Sequence, residues 1–192
     1  MRDCCEFDEL ERPNRAVSRP KVHVHSFAPL AAPNATLVIL GSMPGRASLL
    51  ANQYYAHPRN AFWPIMGALF GAGADIPYAR RVRMLKHAGV AVWDVLASCT
   101  RGSSLDSDID EESIVPNDFA SFFRSHPRIR SVFFNGTKAE ASFRRYVVDG
   151  LGETTLRFER LPSTSPANAS WSQARKVKAW RSALISVREI SE

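Results

Sequence analysis

The sequence contains few cysteines, and they are poorly placed for bridging or for binding a cluster. Only 3 of its 192 residues are cysteine. Cys4 and Cys5 are adjacent and Cys99 stands alone. Adjacent cysteines rarely bridge each other, which argues against a disulfide framework, and three thiols cannot supply the ligands of an ordinary iron–sulfur cluster. Neither HExxH nor CxxC occurs, so we expect no metal site.

Long apolar runs are also missing. None approaches the ~20 residues that span a bilayer, and no signal-peptide core opens the chain. We therefore expect a cytoplasmic protein with no membrane partner.

Length and charge define the remaining possibilities. A chain of 192 residues with 45% hydrophobic content is enough for one packed domain. Residues 1–34 are polar and interrupted by proline, which predicts a partly disordered N-terminal extension that ends by packing as an arm; residues 35–192 then form a single domain. The net charge of +6 and the pI near 9.6 favour a polyanionic partner, because Lys and Arg gain affinity by releasing phosphate counterions.

From residue 35 onward, short apolar strands alternate with helices, which predicts an α/β sandwich around a mostly parallel sheet. The predicted strands are Ala35–Leu40, Val90–Trp93, Ser131–Phe134 and Thr155–Arg160. The predicted helices are Ala61–Phe70, Tyr78–His87, Asn117–Arg124, one from a Thr137/Glu140 capping box to Val148, and a last helix capped by Ser170 with Gln173. Residues 100–113 are predicted to be a polar loop. Ligands of such sheets lie beyond the carboxyl ends of the strands, so the polar loops that follow strands should gather at one edge.

The most informative segment runs from Gly41 to Gly67, GSMPGRASLLANQYYAHPRNAFWPIMG, directly after the first predicted strand. It combines a Gly-Pro-Gly turn with amides, a histidine and several aromatic rings. Binding residues concentrate on loops that a rigid scaffold holds, and flat rings can sandwich a planar ligand. The segment is therefore typical of a nucleobase pocket.

Two segments resemble motifs of the uracil-DNA glycosylase superfamily. GSMPG followed by HPRNAFW is similar to its first motif, a Gly-x-x-Pro-Gly turn and then HPxNxFW, and LPSTSPANAS is similar to its second. QYYAHPRNAFW with LPSTSPANA is most similar to the hypoxanthine-DNA glycosylase (DNA-deoxyinosine glycosylase) branch. The resemblance extends over about residues 35–185. It implies a three-layer α/β/α sandwich with a central, mostly parallel four-stranded sheet.

The resemblance also implies catalytic residues. In the mismatch-specific branch the third residue of the turn is an Asn that activates water, but here it is Met43, whose thioether donates no hydrogen bond. Asn60, in HPRN, is then the expected water-positioning residue, with His57 beside phosphate or the leaving group. The alternatives are that Asn60 only caps the following helix and that His57 only stabilises a turn.

Residues expected to contact the base come from three strand ends and the first loop: Gly41, Ser42, Met43, Tyr55, Phe62, Asp94 and Asn135. Phe62 would stack on the extruded base, as in other members, unless it belongs to the core. Asp94 follows the second strand, where uracil-specific members present an Asn to the base edge. The alternatives for Asp94 and Asn135 are a loop brace and an ordinary Asn-Gly turn.

The second motif is expected to enter the duplex and contact phosphates through Ser163, Thr164, Ser165, Pro166 and Asn168, with Arg175 on the next helix. The first residue of the second motif is Leu161, at a position where many superfamily members carry His or Asn. The acidic run from Asp106 to Glu112 is expected to face solvent or brace a loop.

These observations favour a monofunctional DNA glycosylase that flips out and hydrolyses a deaminated base, hypoxanthine before uracil or xanthine, and so initiates base excision repair. The expected partner is double-stranded DNA with such a base, which would place the protein at the nucleoid. We expect a monomer with no cofactor. The alternatives are a lesion-binding protein without turnover and a nucleotide-binding α/β domain whose turn holds phosphate.

Overall fold

The computed structural model describes the backbone of residues 20–189 and the side chains of residues 20–185. The predicted disorder of the N-terminal extension falls mainly on residues 1–19, which lie outside the described residues. Within the described part, no helix is long and apolar enough to cross a bilayer.

The described elements are seven strands and seven α-helices. The strands are β1 Val22–His25, β2 Leu37–Gly41, β3 Val90–Asp94, β4 Leu96–Arg101, β5 Ile109–Pro116, β6 Ser131–Asn135 and β7 Arg157–Leu161. The helices are α1 Arg46–Ala51, α2 Phe62–Phe70, α3 Tyr78–His87, α4 Phe119–Ser125, α5 Thr137–Tyr146, α6 Val148–Leu151 and α7 Gln173–Glu189.

The central sheet has the order β3-β2-β6-β7, and every neighbouring pair in it is parallel. Strands β2 and β3 are buried along their whole length, which is typical of a parallel sheet covered on both faces. This confirms the predicted α/β fold with a four-stranded parallel sheet.

Helices cover the two faces of this sheet separately. The chain moves in one direction from β2 to β3 and in the other from β3 through β6 to β7, so right-handed crossovers place the intervening helices on opposite faces. Phe143 of α5 packs against Phe134 and Phe119 on one side. Phe62 of α2 packs against Trp180 of α7 on the other. The result is the expected three-layer arrangement.

A second sheet, with the order β1-β4-β5 and antiparallel pairing, was not predicted. The prediction that residues 100–113 form a polar loop is wrong, because β4 ends and β5 begins inside that range around a short 3-10 turn at Asp106–Asp108. Strand β4 pairs with Val22–His25, more than 70 residues away in the chain by the His23–Thr100 register. A local sequence pattern carries no signal for such a partner.

Two predicted helix caps also differ. Helix α5 has Gly136 at its N-cap with no capping side chain, so Thr137 does not open a capping box. Ser170 does not cap α7: its hydroxyl donates to Asn168, and Ser172 Oγ instead accepts from the Arg175 N–H at 3.3 Å.

Candidate functional site

A cleft of about 980 Å³ opens at the carboxyl edge of the parallel sheet. Its walls come from the segments after β2, β3, β6 and β7, together with the turn between β4 and β5. The prediction that the polar loops gather at one edge is confirmed. The cleft contains both motif segments, and its volume suits a nucleobase with its sugar and phosphate.

The Gly-x-x-Pro-Gly turn is fixed from behind by the chain that follows β3. The carbonyl oxygens of Gly41 and Ser42 accept from the N–H groups of Val95 and Leu96 at 2.8 and 3.1 Å. The buried Arg101 guanidinium of β4 donates to the Pro44 carbonyl, and burial lowers the pKa of Arg101. The second sheet therefore supports the first motif, although the sequence did not reveal it.

Gly41 allows three groups to converge on the floor of the cleft. A Cβ at Gly41 would lie 2.5 Å from Asp94 Oδ1 and 3.0 Å from the Tyr55 hydroxyl. Glycine is therefore required by close approach rather than by backbone angle. The floor presents a carboxyl oxygen and a phenol side by side.

The Asp94 carboxyl is deeply buried, with only 3% of the residue exposed. Ser26 Oγ donates to Oδ2 at 3.0 Å, which leaves Oδ1 on the Gly41 side. Burial raises the pKa of Asp94 to about 7, with the Ser26 hydrogen bond opposing the shift. At neutral pH this group is thus divided between an acid that can donate and a carboxylate that only accepts.

Tyr55 lines the cleft, whereas Phe62 does not. The two rings stack with centroids 4.0 Å apart, and Phe62 is 0% exposed. The prediction that Phe62 stacks on an extruded base is therefore wrong in this geometry. Tyr55 has φ +55°, a left-handed conformation that is strained for a bulky side chain and is often found at functional sites.

The Tyr55 hydroxyl is an unsatisfied buried group. Its oxygen is inaccessible to solvent and makes no well-formed hydrogen bond to any residue in the described part of the chain, although Asn135 lies close. Burial raises the pKa of Tyr55, so the hydroxyl stays protonated. A ligand at the cleft floor would supply the missing partner.

Asn60 and His57 both line the cleft, as predicted from HPRN. Asn60 Oδ1 accepts from the Phe62 N–H at 2.9 Å, so the capping contact exists. An amide oxygen has a second lone pair and its nitrogen two N–H groups, so this contact leaves capacity for a ligand. His57 Nδ1 accepts from the Arg59 N–H at 3.1 Å, which assigns the proton of a neutral ring to Nε2.

Asn135 lines the cleft and holds Thr164 of the second motif. Its Oδ1 accepts from the Thr164 N–H and its Nδ2 donates to Thr164 Oγ1, both at 2.8 Å. The Thr164 carbonyl in turn accepts from the Ala61 N–H at 3.0 Å. Both residues line the cleft, but Thr164 is 0% exposed, so the contacts of Asn135 with the base and of Thr164 with DNA stay predictions.

The rest of the second motif is positioned from below by α7. Lys176, 5% exposed, donates to the Asn168 carbonyl at 2.9 Å, and burial lowers its pKa. Trp180 donates to the Pro162 carbonyl at 3.0 Å. The predicted DNA-contacting residues Ser163, Ser165, Pro166 and Asn168 line the cleft.

The rim of the cleft carries exposed cationic and aromatic groups. Trp171 lines the cleft, and the Arg175 guanidinium lies 4.5 Å from the centre of its ring. Arg175 is exposed, which keeps it available to a phosphate.

Asp106 is a cleft residue that sequence reasoning missed. The acidic run was expected to face solvent or brace a loop, but Asp106 lines the cleft and accepts from Ser42 Oγ at 2.6 Å. Asp106 is exposed to solvent at the cleft wall, and desolvation by the protein around its carboxyl raises its pKa. Adjacent Ser residues and a Leu gave no pattern that distinguishes Asp106 from its acidic neighbours. Among the described residues, no cluster of His, Cys, Asp or Glu is arranged to hold a metal ion.

Comparison with known proteins identifies the family to which the chain belongs. Residues 28–185 match the model of the uracil DNA glycosylase superfamily. The chain belongs to that superfamily. The resemblance drawn from the two motifs is confirmed, and the matched range contains every segment that lines the cleft.

Individual relatives agree with this membership. A hypoxanthine DNA glycosylase from Methanosarcina acetivorans is 36% identical over 144 residues, which cover 74% of this chain and 87% of the relative. A hypoxanthine DNA glycosylase from Methanosarcina barkeri is 36% identical over 114 residues, covering 59% and 71%. A solution NMR structure of a Methanosarcina acetivorans protein, provisionally described as a uracil DNA glycosylase, is similar with a TM-score of 0.71 and 31% identity, covering 87% of this chain and 99% of that one.

This member of the uracil DNA glycosylase superfamily departs from the motif pattern at Met43 and Leu161, and both residues line the cleft. Met43 is 7% exposed and Leu161 3%, and both belong to the core that supports the cleft walls. Neither can exchange hydrogen bonds with a ligand in place of the amide or imidazole found elsewhere. The polar chemistry of the cleft must therefore come from other residues.

Proposed function

We propose that the protein is a monofunctional DNA glycosylase that hydrolyses the bond between a deaminated base and deoxyribose in double-stranded DNA, with hypoxanthine as its main substrate. Two relatives at 36% identity are named hypoxanthine DNA glycosylase. The observation that carries the proposal is the cleft floor, where a buried carboxyl and an unsatisfied phenol meet at the glycine of the first motif. Uracil and xanthine are the next candidates, because each also carries an N–H beside a carbonyl.

Access to the sugar carbon requires the nucleotide to leave the duplex. Flipping costs a few kcal/mol and is least costly for a mispaired base, which favours lesions over normal pairs. The Tyr55 ring, supported from behind by Phe62, would recover part of this free energy by contact with the base. The cleft-lining residues of the second motif would fill the space that the base leaves and contact the backbone.

Asp94 is proposed to recognise the edge of the base. Hypoxanthine presents its N1–H donor beside the O6 acceptor. A protonated carboxyl matches both, because one oxygen accepts and the other donates, whereas a carboxylate satisfies the N1–H alone. Ser26 would fix the carboxyl by donating to Oδ2, which keeps a second lone pair for the N1–H while the protonated Oδ1 donates to O6.

Bond breaking is proposed to be largely dissociative, with positive charge on the sugar and negative charge on the departing base. Backbone amides of the Gly41–Gly45 turn would stabilise the base anion electrostatically, and the contacts of Arg101 and β3 hold that turn in place. Asn60 would position the attacking water by orientation rather than by removing its proton. Among the residues that the structure describes, no lysine lines the cleft, so water is a better nucleophile than a Schiff-base amine.

The proposed partner is a duplex that runs across the cleft mouth, contacted by Ser163, Ser165 and Arg175. We propose that the protein acts as a monomer on the chromosome in the nucleoid. Release of the base would initiate base excision repair.

The test is base release under single-turnover conditions from duplexes with one deoxyinosine or deoxyuridine, followed by alkaline cleavage at the abasic site. Asn60→Ala should lower the rate by ~100-fold or more, as removal of a catalytic group does. Loss of its capping contact alone would cost about 1 kcal/mol of stability without slowing the chemistry. Asn34→Ala, an exposed asparagine before β2, serves as the matched control. Binding of damaged duplex by the wild type without any abasic product would refute the proposed hydrolysis.

A further inference from the structure

The Asp106 carboxylate lies at the point where the first motif lacks a proton acceptor. Asp106 begins the 3-10 turn between β4 and β5, so it enters the cleft from the second sheet. Ser42, which donates to Asp106 Oδ1 at 2.6 Å, directly precedes Met43 in the Gly-x-x-Pro-Gly turn. A carboxylate therefore stands beside the turn position whose own side chain is a thioether.

Hydrolysis needs an acceptor for a water proton, and the other cleft residues serve poorly. Met43 accepts hydrogen bonds only weakly, and an amide such as Asn60 has negligible basicity. Asn60 Oδ1 also accepts from the Phe62 N–H. Asp94 is buried in the floor and hydrogen-bonded to Ser26, where the base edge would cover it.

We propose that Asp106 is the general base of the glycosylase reaction, accepting a proton from the water that Asn60 orients. This inference rests on the proposed function. The C1′–N9 bond breaks with its electron pair going to hypoxanthine, and a water oxygen bonds to C1′. One proton of that water passes to Asp106 and then to solvent, while the base anion takes up a proton from solvent. The products are hypoxanthine and an abasic deoxyribose, and no oxidant or cofactor enters the balance.

The charged groups around Asp106 are compatible with this role. The positive charges of Arg101 on β4 and Lys138 on α5 stabilise its carboxylate. Asp94 of β3 is a second acid within electrostatic range of Asp106. Tyr55 and Cys99 are also within that range, as neutral acids. Withdrawal from water raises the pKa of Asp106 above that of an ordinary aspartate, which makes its carboxylate a stronger base. The Ser42 hydrogen bond opposes the shift and fixes one oxygen, leaving Oδ2 for water.

The experiment compares Asp106→Asn with Asp108→Asn, which makes the same charge change two residues away at an exposed position outside the cleft. We expect Asp106→Asn to lower the single-turnover rate on deoxyinosine duplex by ~100-fold and to abolish the acid limb of its pH profile. Binding to the same duplex should become tighter, because a negative charge near phosphates is removed. Slower chemistry with tighter binding is a combination that a bracing role for Asp106 would not produce. Asparagine still offers Oδ1 to Ser42, so the fold is retained.

Two results would overturn the inference. The first is a rate and pH profile for Asp106→Asn that coincide with those of Asp108→Asn. The second is a fall in rate that formate fails to restore in Asp106→Ala at any concentration, which would assign Asp106 to structure alone. If wild-type protein releases no hypoxanthine from any duplex, the proposed function fails first, and the two failures are thereby distinguished.

Discussion

Replacing Asp94 by asparagine should remove a pH dependence that the wild-type protein shows on the alkaline side of neutrality. Burial raises the pKa of Asp94 to about 7, and only the protonated form presents both a donor and an acceptor to the base. Asparagine presents the same pair of groups at every pH. It also fits the space beside Gly41, because its side chain has the same shape as aspartate.

The expected magnitude follows from that pKa of about 7. Asp94 is protonated in about half of the molecules near pH 7, about a tenth near pH 8 and about a hundredth near pH 9. Wild-type kcat/KM should therefore fall roughly tenfold per pH unit above neutrality. For Asp94→Asn the alkaline limb should be flat, and at about pH 9 the variant should exceed the wild type by up to ~100-fold. Uracil, whose N3–H also lies beside a carbonyl, should be processed by the variant at least as well as by the wild type.

Stability gives an independent measurement with a definite sign. The folded-state pKa of Asp94 is raised above the ordinary value of 3.8, so the folded protein binds this proton more tightly than the unfolded chain. The stabilising contribution is complete below the unfolded pKa and is lost as pH rises through the folded pKa; the loss is about 4 kcal/mol above neutrality. Asp94→Asn should therefore raise the midpoint of urea unfolding at pH 8 but not at pH 4.

The assay is single-turnover hypoxanthine release between pH 6 and pH 9, with Asp118→Asn as the control. Asp118 is exposed and caps α4, away from the cleft. An Asp94→Asn variant that keeps the wild-type alkaline limb would show that Asp94 does not control recognition. A variant with no activity at any pH would show that the carboxyl itself is needed, which would refute the recognition argument.

Two further predictions concern α7 and share Lys178 as the control position, since Lys178 is exposed and lies outside the cleft. Arg175→Ala should weaken binding to all duplexes alike and reduce the slope of log K against log salt concentration by about 1. Lys178→Ala should change neither the affinity nor the slope. The same slope for Arg175→Ala and the wild type in a salt titration would show that Arg175 does not contact DNA. Lys176→Met leaves the Asn168 carbonyl without its donor and should lower the free energy of unfolding in urea by about 1–3 kcal/mol. Lys178→Met should leave that free energy unchanged. A Lys176→Met variant as stable as the wild type would show that the second-motif loop is held by other contacts.

The parallel sheet could be predicted because its strands are local, apolar and bounded by turn residues. Helix α3 has the predicted bounds, Tyr78–His87, and Ser131–Phe134 differs from β6 by one residue. The first loop was also recognisable, because its unusual mixture of glycine, amides and rings occurs within one continuous segment. Local pattern was sufficient wherever the partners lie close together in sequence.

Predictions failed where a residue acts through a distant partner. Asn135 was considered only as a base contact or a tight turn, yet its amide also holds Thr164, 29 residues later. Asp106 looked like part of a solvated acidic run, yet it meets Ser42, 64 residues earlier. Ser26, in the segment expected to be an arm, supports Asp94 across 68 residues. The Ser26 contact follows from the pairing of β1 with β4 and the Asn135 contact from that of β6 with β7, and no short pattern specifies either pairing.

The contacts of Thr164 bear on how the two motifs work together. Asn135 holds both polar groups of Thr164, and the Thr164 carbonyl accepts from the Ala61 N–H, next to Asn60. The residue proposed to orient water and the loop proposed to enter the duplex are therefore connected by the hydrogen bond from Ala61 to Thr164, and two more hydrogen bonds fix Thr164 to Asn135. Interfaces of this kind do not deform continuously, so insertion of the loop into DNA and positioning of the water should occur as one event. A nucleotide that stays in the duplex would then face neither an inserted second-motif loop nor a correctly placed water. This coupling would add to the selectivity for lesions that flipping provides.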